Sequence, residues 1–203
     1  MMRLPVLSFP VIALLLLLAA CVGSGGEPRR FFVLADETRP VPTATVGARG
    51  SIAVASTTAA TFYDTTDIAY SSTLGTRAYY RAASWTEAPA DTLGRLLLAS
   101  LAADGAFESV TAATSGVRAD LLLTTVLLDL HHEAVKAPGN VRVEIAAELI
   151  DLRHHALIAR KTFVAEAPAA TFDAAGAVAG LRIATASALR DIGAWVVTAR
   201  SVK

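Results

Sequence analysis

The chain holds one cysteine in 203 residues, and that scarcity excludes a disulfide framework and a cysteine zinc site at once. It also lacks an excess of either charge. Basic and acidic residues number 18 each, and no basic stripe is interleaved with aromatics, so nucleic acid is not predicted as a partner. No Gly-x-Ser-x-Gly elbow, Walker loop or dinucleotide fingerprint occurs. The reading is a non-enzyme without cofactor or metal. Aromatics are only 6% of the chain against 54% hydrophobic residues; much of the latter is alanine and leader, so large core side chains are fewer than the total implies. Past the first two dozen residues, the length suits one domain with a real core.

What is present begins at the N-terminus. Arg3 supplies a positive n-region, and Leu4 to Leu18 form an apolar run interrupted by Ser8 and Pro10, followed by Ala19 and Ala20. Leu4 to Val22 approaches the ~20 residues that span a bilayer. Pro10, the lack of a basic stop-transfer cluster and the Gly-Ser-Gly-Gly-Glu-Pro that follows Val22 favour an export signal instead. Leu18-Ala19-Ala20-Cys21 resembles the bacterial lipobox. That resemblance implies cleavage after residue 20, diacylglycerol on the Cys21 thiol and a fatty acyl group such as palmitate on its amino group. One acyl chain holds a protein only marginally and two or three hold it durably, each buried methylene contributing ~0.8 kcal/mol. Lipoprotein signals of this kind favour the inner membrane when aspartate follows the cysteine, so Val22 implies the outer membrane, on its periplasmic face. The predicted organisation is a signal peptide over 1–20, a lipidated tether over 21–30 rich in glycine, and a domain over 31–203.

Within the domain, Phe31 to Leu34 reads as a strand, followed by a connector at Pro40 and Pro42, and Ser51 to Ser56 as another strand. Strands at Ile68 to Ser71 and Arg77 to Ala82 flank a hairpin turn at Gly75. Leu93, Leu97 and Leu101 recur every fourth residue, which predicts a helix from Thr86 toward Gly105. Phe107 to Thr111 is a strand. Asp120 to Leu130 is apolar on both alternating sets, the pattern of a strand covered on two faces, although periodicity alone leaves a helix open. Val141, Val143, Ile145, Ala147 and Leu149 alternate with Arg142, Glu144, Ala146 and Glu148, a half-buried strand after the Pro138-Gly139-Asn140 turn. Leu157 to Val164 completes an antiparallel meander of three. A last helix runs from Thr171 or Asp173 to about Thr198, with Leu181, Ala184, Ala188, Ile192 and Trp195 on its apolar face, Arg182, Arg190 and Asp191 toward water, and Gly176 and Gly180 allowing close approach to the sheet. The expected fold is an α/β single-domain sandwich: a mixed, largely antiparallel sheet of five or six strands with helices packed on it.

Candidate functional residues are few. His131-His132 and His154-His155 invite a metal site, yet neighbours on a strand face opposite ways and ~35 Å of strand separates the pairs at ~3.3 Å per residue. They read as solvated turn histidines. Asp64 and Asp67 resemble an acid/base pair but stand in a segment of turn composition. Tyr63, Tyr70, Tyr79, Tyr80 and Trp85 cannot all point inward from alternating strands, so some are expected to form an exposed patch that binds a protein partner.

The lipobox, the Phe31-Phe32-Val33-Leu34 start, the Ile68-Ala69-Tyr70 strand leading through Tyr79-Tyr80 to Trp85 and Pro89, and the two helices together resemble the ABC-type transport auxiliary lipoproteins, the PqiC-like family of intermembrane lipid transport. The resemblance covers nearly the whole mature chain. It implies a fold similar to the TolB N-terminal domain, a periplasmic MCE-domain protein as partner, an ABC permease and ATPase as indirect partners, and a possible homo-oligomer. TolB-like and penicillin-binding-protein activator lipoproteins, which serve cell-envelope maintenance, share anchor and architecture and are the alternative.

Overall fold

The computed structural model describes residues 28–34 and 50–200. The leader, Cys21, the tether through residue 27 and the connector at Pro40 and Pro42 lie outside the described residues. Among the described residues nine strands form one sheet: β1 (Arg30–Phe32), β2 (Ser51–Val54), β3 (Thr58–Ala59), β4 (Asp67–Ser71), β5 (Ala78–Trp85), β6 (Ser109–Ala112), β7 (Leu121–Glu133), β8 (Asn140–Asp151) and β9 (Ala156–Pro168). Two helices, α1 (Pro89–Asp104) and α2 (Ala174–Ala199), pack against it and touch each other. The domain is therefore the expected mixed α/β fold with two helices. Its one sheet takes in more strands than the five or six anticipated: the Phe31 to Leu34 strand is present as β1 and joins the sheet beside β5, while β3, two residues long, is too short for an alternating pattern to show.

β7 organises the sheet. Along one edge it forms an antiparallel ladder with β8 from Leu121↔Asp151 to Glu133↔Asn140, and β8 pairs with β9 in the same sense, which gives the expected meander. Along its other edge it meets three short parallel strands in succession: β2 at Ile52↔Leu121, β3 at Thr58↔Val126 and β4 at Ala69↔His131. β6 extends the sheet beyond β2, and β5 then β1 extend it beyond β4.

One face of this sheet is the core. Val141, Val143, Ile145, Ala147 and Leu149 of β8 point into it beneath Leu181, Ala184, Ala188 and Ile192 of α2, while Leu93, Leu97 and Leu101 of α1 cover β2 and β6. Each such leucine or isoleucine contributes about 1.5–3 kcal/mol when fully buried. Gly180 lets α2 lie close: a Cβ there would sit 2.8 Å from the Pro168 carbonyl oxygen and 3.1 Å from Val141 Cγ2. Gly176 makes its close approach to Thr171 in the preceding loop, not to the sheet. Asp173 caps α2 by accepting from Gly176 N–H at 2.8 Å. α1 ends at Gly105, in the left-handed conformation expected there.

The other face of β7 is not covered by a second layer. Leu122, Thr124 and Val126 are half-buried and Leu128 is exposed, so its two-sided apolar pattern overstates the burial. Among the described residues no helix is long and apolar enough to cross a membrane.

Candidate functional site

The adjacent tyrosines of β5 go to opposite faces of the sheet, as strand alternation requires. Tyr80 lies with Tyr70 on the helix side, their ring centroids 4.7 Å apart. With Ser72, Tyr79, Arg81, Ala134 and Phe172 they line an open cleft of about 400 Å³. Tyr79 turns the other way, stacks on Phe62 at 4.5 Å and donates from its hydroxyl to the Phe62 carbonyl at 2.6 Å. Tyr63 meets the edge of Phe62 at 5.3 Å. The predicted aromatic set thus forms two groups, Tyr70 with Tyr80 and Tyr63 with Tyr79. Trp85 belongs to neither. It is 1% exposed, packed in the core, and the expectation that placed it in a surface patch is corrected: at the end of β5 its side chain points beneath the helices.

A buried histidine backs the cleft. His132, at 0% exposure, stacks beside Tyr80, its Nδ1 2.7 Å from the Tyr80 hydroxyl and its Nε2 2.8 Å from the Pro138 carbonyl. A carbonyl only accepts, so Nε2 carries the proton, and in the neutral ring Nδ1 accepts from Tyr80. Burial drives the imidazole pKa down, against the pull of the Pro138 carbonyl, and the neutral ring is the favoured form. Burial, then the nearby Asp173 and Tyr70, push the Tyr80 phenol up to about 12. Gly139 (φ +85°) closes the turn above: a Cβ there would lie 2.5 Å from both His132 Nε2 and the Glu133 carbonyl.

On the opposite face a polar network surrounds Asp129. Its carboxylate accepts from His131 Nδ1 at 2.7 Å and from Arg77 Nη2 at 3.1 Å, and Arg77 Nε donates to the Tyr63 hydroxyl at 3.0 Å. Burial opposes ionisation of Asp129, but His131, Tyr63 and Arg77 together hold its carboxyl below the usual range. Burial and Asp129 push the Tyr63 phenol up to about 12.

The reading of all four histidines as solvated turn residues is corrected for two of them. His131 and His132 are inside β7 and buried, because β4 pairs along their edge and the β7–β8 turn comes later than Leu130, at Ala134. His154 and His155 do lie exposed in the β8–β9 turn, where His154 Nδ1 pairs with Asp151 Oδ2 at 2.8 Å. The two pairs stand at opposite ends of β8 and share no site, and among the described residues no cluster of three or more metal-ligating groups forms. Asp64 and Asp67 do not form a paired carboxylate: Asp67 is bound by Arg29, and Asp64 is exposed at the end of a 3-10 turn. His132 was not recognised as a site residue from the sequence. The signal that could have found it is its place at the end of an apolar run, before a Pro-Gly turn.

A structure of a Xanthomonas campestris protein assigned to the DUF330 family is similar over 85% of this chain and 97% of its own, at 18% identity and a TM-score of 0.72. A second, described only as an uncharacterized protein, is 14% identical over 84% of this chain and 99% of its own, at a TM-score of 0.65. A hypothetical protein from Chlamydia trachomatis is 11% identical over 74% and 96%, at 0.52. At these identities the likeness shows the fold. A search of the curated proteins found no sequence match. The model of the ABC-type transport auxiliary lipoprotein component family matches residues 32–193, most of the described domain, and the chain belongs to that family.

Proposed function

We propose that this protein is an outer-membrane lipoprotein that works without catalysis, anchored through acylated Cys21, and that docks the periplasmic MCE-domain conduit of an ABC-type intermembrane lipid transport system. The observation that carries the reading is a lipobox, Leu18 to Cys21, about ten residues ahead of a domain of the transport auxiliary family. The permease and ATPase act on it only through that conduit, because the chain has no nucleotide-binding loop of its own. Of the aromatic set, the Phe62, Tyr63 and Tyr79 group is the partner surface in this proposal. It is half-buried, amphipathic and set beside the Arg77–Asp129 pair, the composition that protein interfaces favour. Tyr70 and Tyr80 are held instead in the cleft and by His132.

The test is affinity purification of the tagged full chain from detergent-solubilised envelopes, followed by mass spectrometry. Recovery of an MCE protein, lost in a Tyr63→Ala, Tyr79→Ala double variant that remains folded, is the expected result. A Cys21→Ser variant is expected to leave the membrane fraction. Recovery of cell-wall synthases with no MCE protein would replace the reading with envelope maintenance.

A further inference from the structure

Three loops leave the sheet at one end, each carrying an exposed apolar side chain. β4 and β7 run parallel to the pair Ser71↔Glu133, so the β4–β5 and β7–β8 turns project from the same end, and a bond from Ala134 N–H to the Ser71 carbonyl at 2.8 Å joins them. β8 begins there too, opposite the end of β9 at Asn140↔Pro168, so the β9–α2 loop starts alongside, tied by Ala169 N–H to the Gly139 carbonyl at 3.0 Å. Leu74 in the first loop is 75% exposed, Val135 in the second 48% and Phe172 in the third 54%. Single exposed apolar residues need no explanation, but three gathered on adjoining loop tips mark a binding surface.

The path of the N-terminal chain indicates what meets that surface. β1 runs parallel to β5, from Arg30↔Ala83 to Phe32↔Trp85, so its N-terminal end is the one nearer the start of β5 at Ala78, beside the β4–β5 turn. Ala83 stands about 17 Å from Ala78 at ~3.3 Å per residue. The chain from Cys21 to Arg29 reaches up to about 30 Å when extended. The tether can therefore deliver its acyl chains to a bilayer lying on these tips without any rearrangement of the domain.

We propose that the end of the sheet bearing Leu74, Val135 and Phe172 rests on the same bilayer that holds the Cys21 lipid, with the three side chains inserted among the headgroups and upper acyl chains. The proposal rests on the lipid-anchor reading. Charge at this end is mixed, with Arg77 paired to Asp129, Arg30 close to Asp173, and Lys136 and Arg81 accompanied by Glu133, so contact is apolar in origin and insensitive to salt, in contrast to a polybasic membrane patch. One contact point is flexible and two fix orientation: lipid plus tips hold the domain upright, its Tyr63 and Tyr79 face turned sideways.

The test uses the full-length lipidated protein reconstituted in vesicles of phosphatidylethanolamine with a minority of phosphatidylglycerol. Acylated Cys21 does not take a thiol label, so Leu74→Cys and, separately, Val135→Cys provide the one reactive thiol for an environment-sensitive fluorophore. Leu157→Cys is the control, an equally apolar exposed site beside the far β8–β9 turn. Labels at 74 and 135 are expected to blue-shift, brighten severalfold and be quenched by doxyl lipids at low and high salt alike, while the label at 157 stays aqueous. An aqueous label at 74 and 135 on protein whose mass shows acylated Cys21 overturns the proposal and leaves the anchor intact. Equal quenching at 157, or shielding that appears only at high protein-to-lipid ratio and so reflects a second copy, overturns it as well. An unmodified Cys21 overturns the anchor and this proposal together.

Discussion

The His132 environment makes stability depend on pH in a window that few other groups share. In the folded protein the ring is buried, bonded as the neutral form between Tyr80 and Pro138, and its pKa is lowered. In the unfolded chain it titrates near the ordinary ~6.5. Below that value the unfolded state binds a proton that the folded state refuses, so stability is full above about pH 7 and is lost as pH falls from ~6.5 toward the folded pKa. One proton corresponds to a slope of at most ~1.4 kcal/mol per pH unit. Carboxylates with lowered pKa values, Asp120, Asp129 and Asp173, lose their contribution only as pH falls below the ordinary carboxylate range, so the two windows separate. The measurement is urea unfolding followed by tryptophan fluorescence from pH 7.5 to 5.5. His132→Gln is the matched variant, because its amide can still donate toward Pro138 and does not titrate. The wild-type midpoint is expected to fall with pH and the variant curve to stay nearly flat. Equal slopes in both proteins, or none in either, would refute the account of the buried ring.

Two further substitutions test how the helices are held. Gly180→Ala places a methyl group 2.8 Å from the Pro168 carbonyl, which pushes α2 off β8 and is expected to destabilise by ~1–3 kcal/mol in the same denaturation assay, outweighing the better helix propensity of alanine. Asp173→Ala removes the acceptor for Gly176 N–H and is expected to cost about 1 kcal/mol, with Asp173→Asn or Asp173→Ser restoring most of it.

The meander, the two helices and their caps were legible in the sequence because each depends on local patterning: alternation from Val141 to Leu149, four-residue spacing from Leu93 to Leu101, a Gly105 stop and an Asp173 start. What pairs with β7 along its second edge was not legible. β2, β3 and β4 lie far from it in the chain, and parallel pairing at that distance leaves no periodic trace in any one segment. Pairing along that edge, together with Tyr80 and the Pro138-Gly139 turn against His132, buries His131 and His132, so two residues that look like turn polars became a network anchor and the back wall of a cleft. The tyrosines divide for a reason the sequence did contain, the period of two in β5, but which face the helices cover is a tertiary fact. The sequence by itself determined the segments and their caps as chemistry along the chain. Only the tertiary structure decided which side chains share an environment and which loops share an end, because those depend on register between strands distant in sequence.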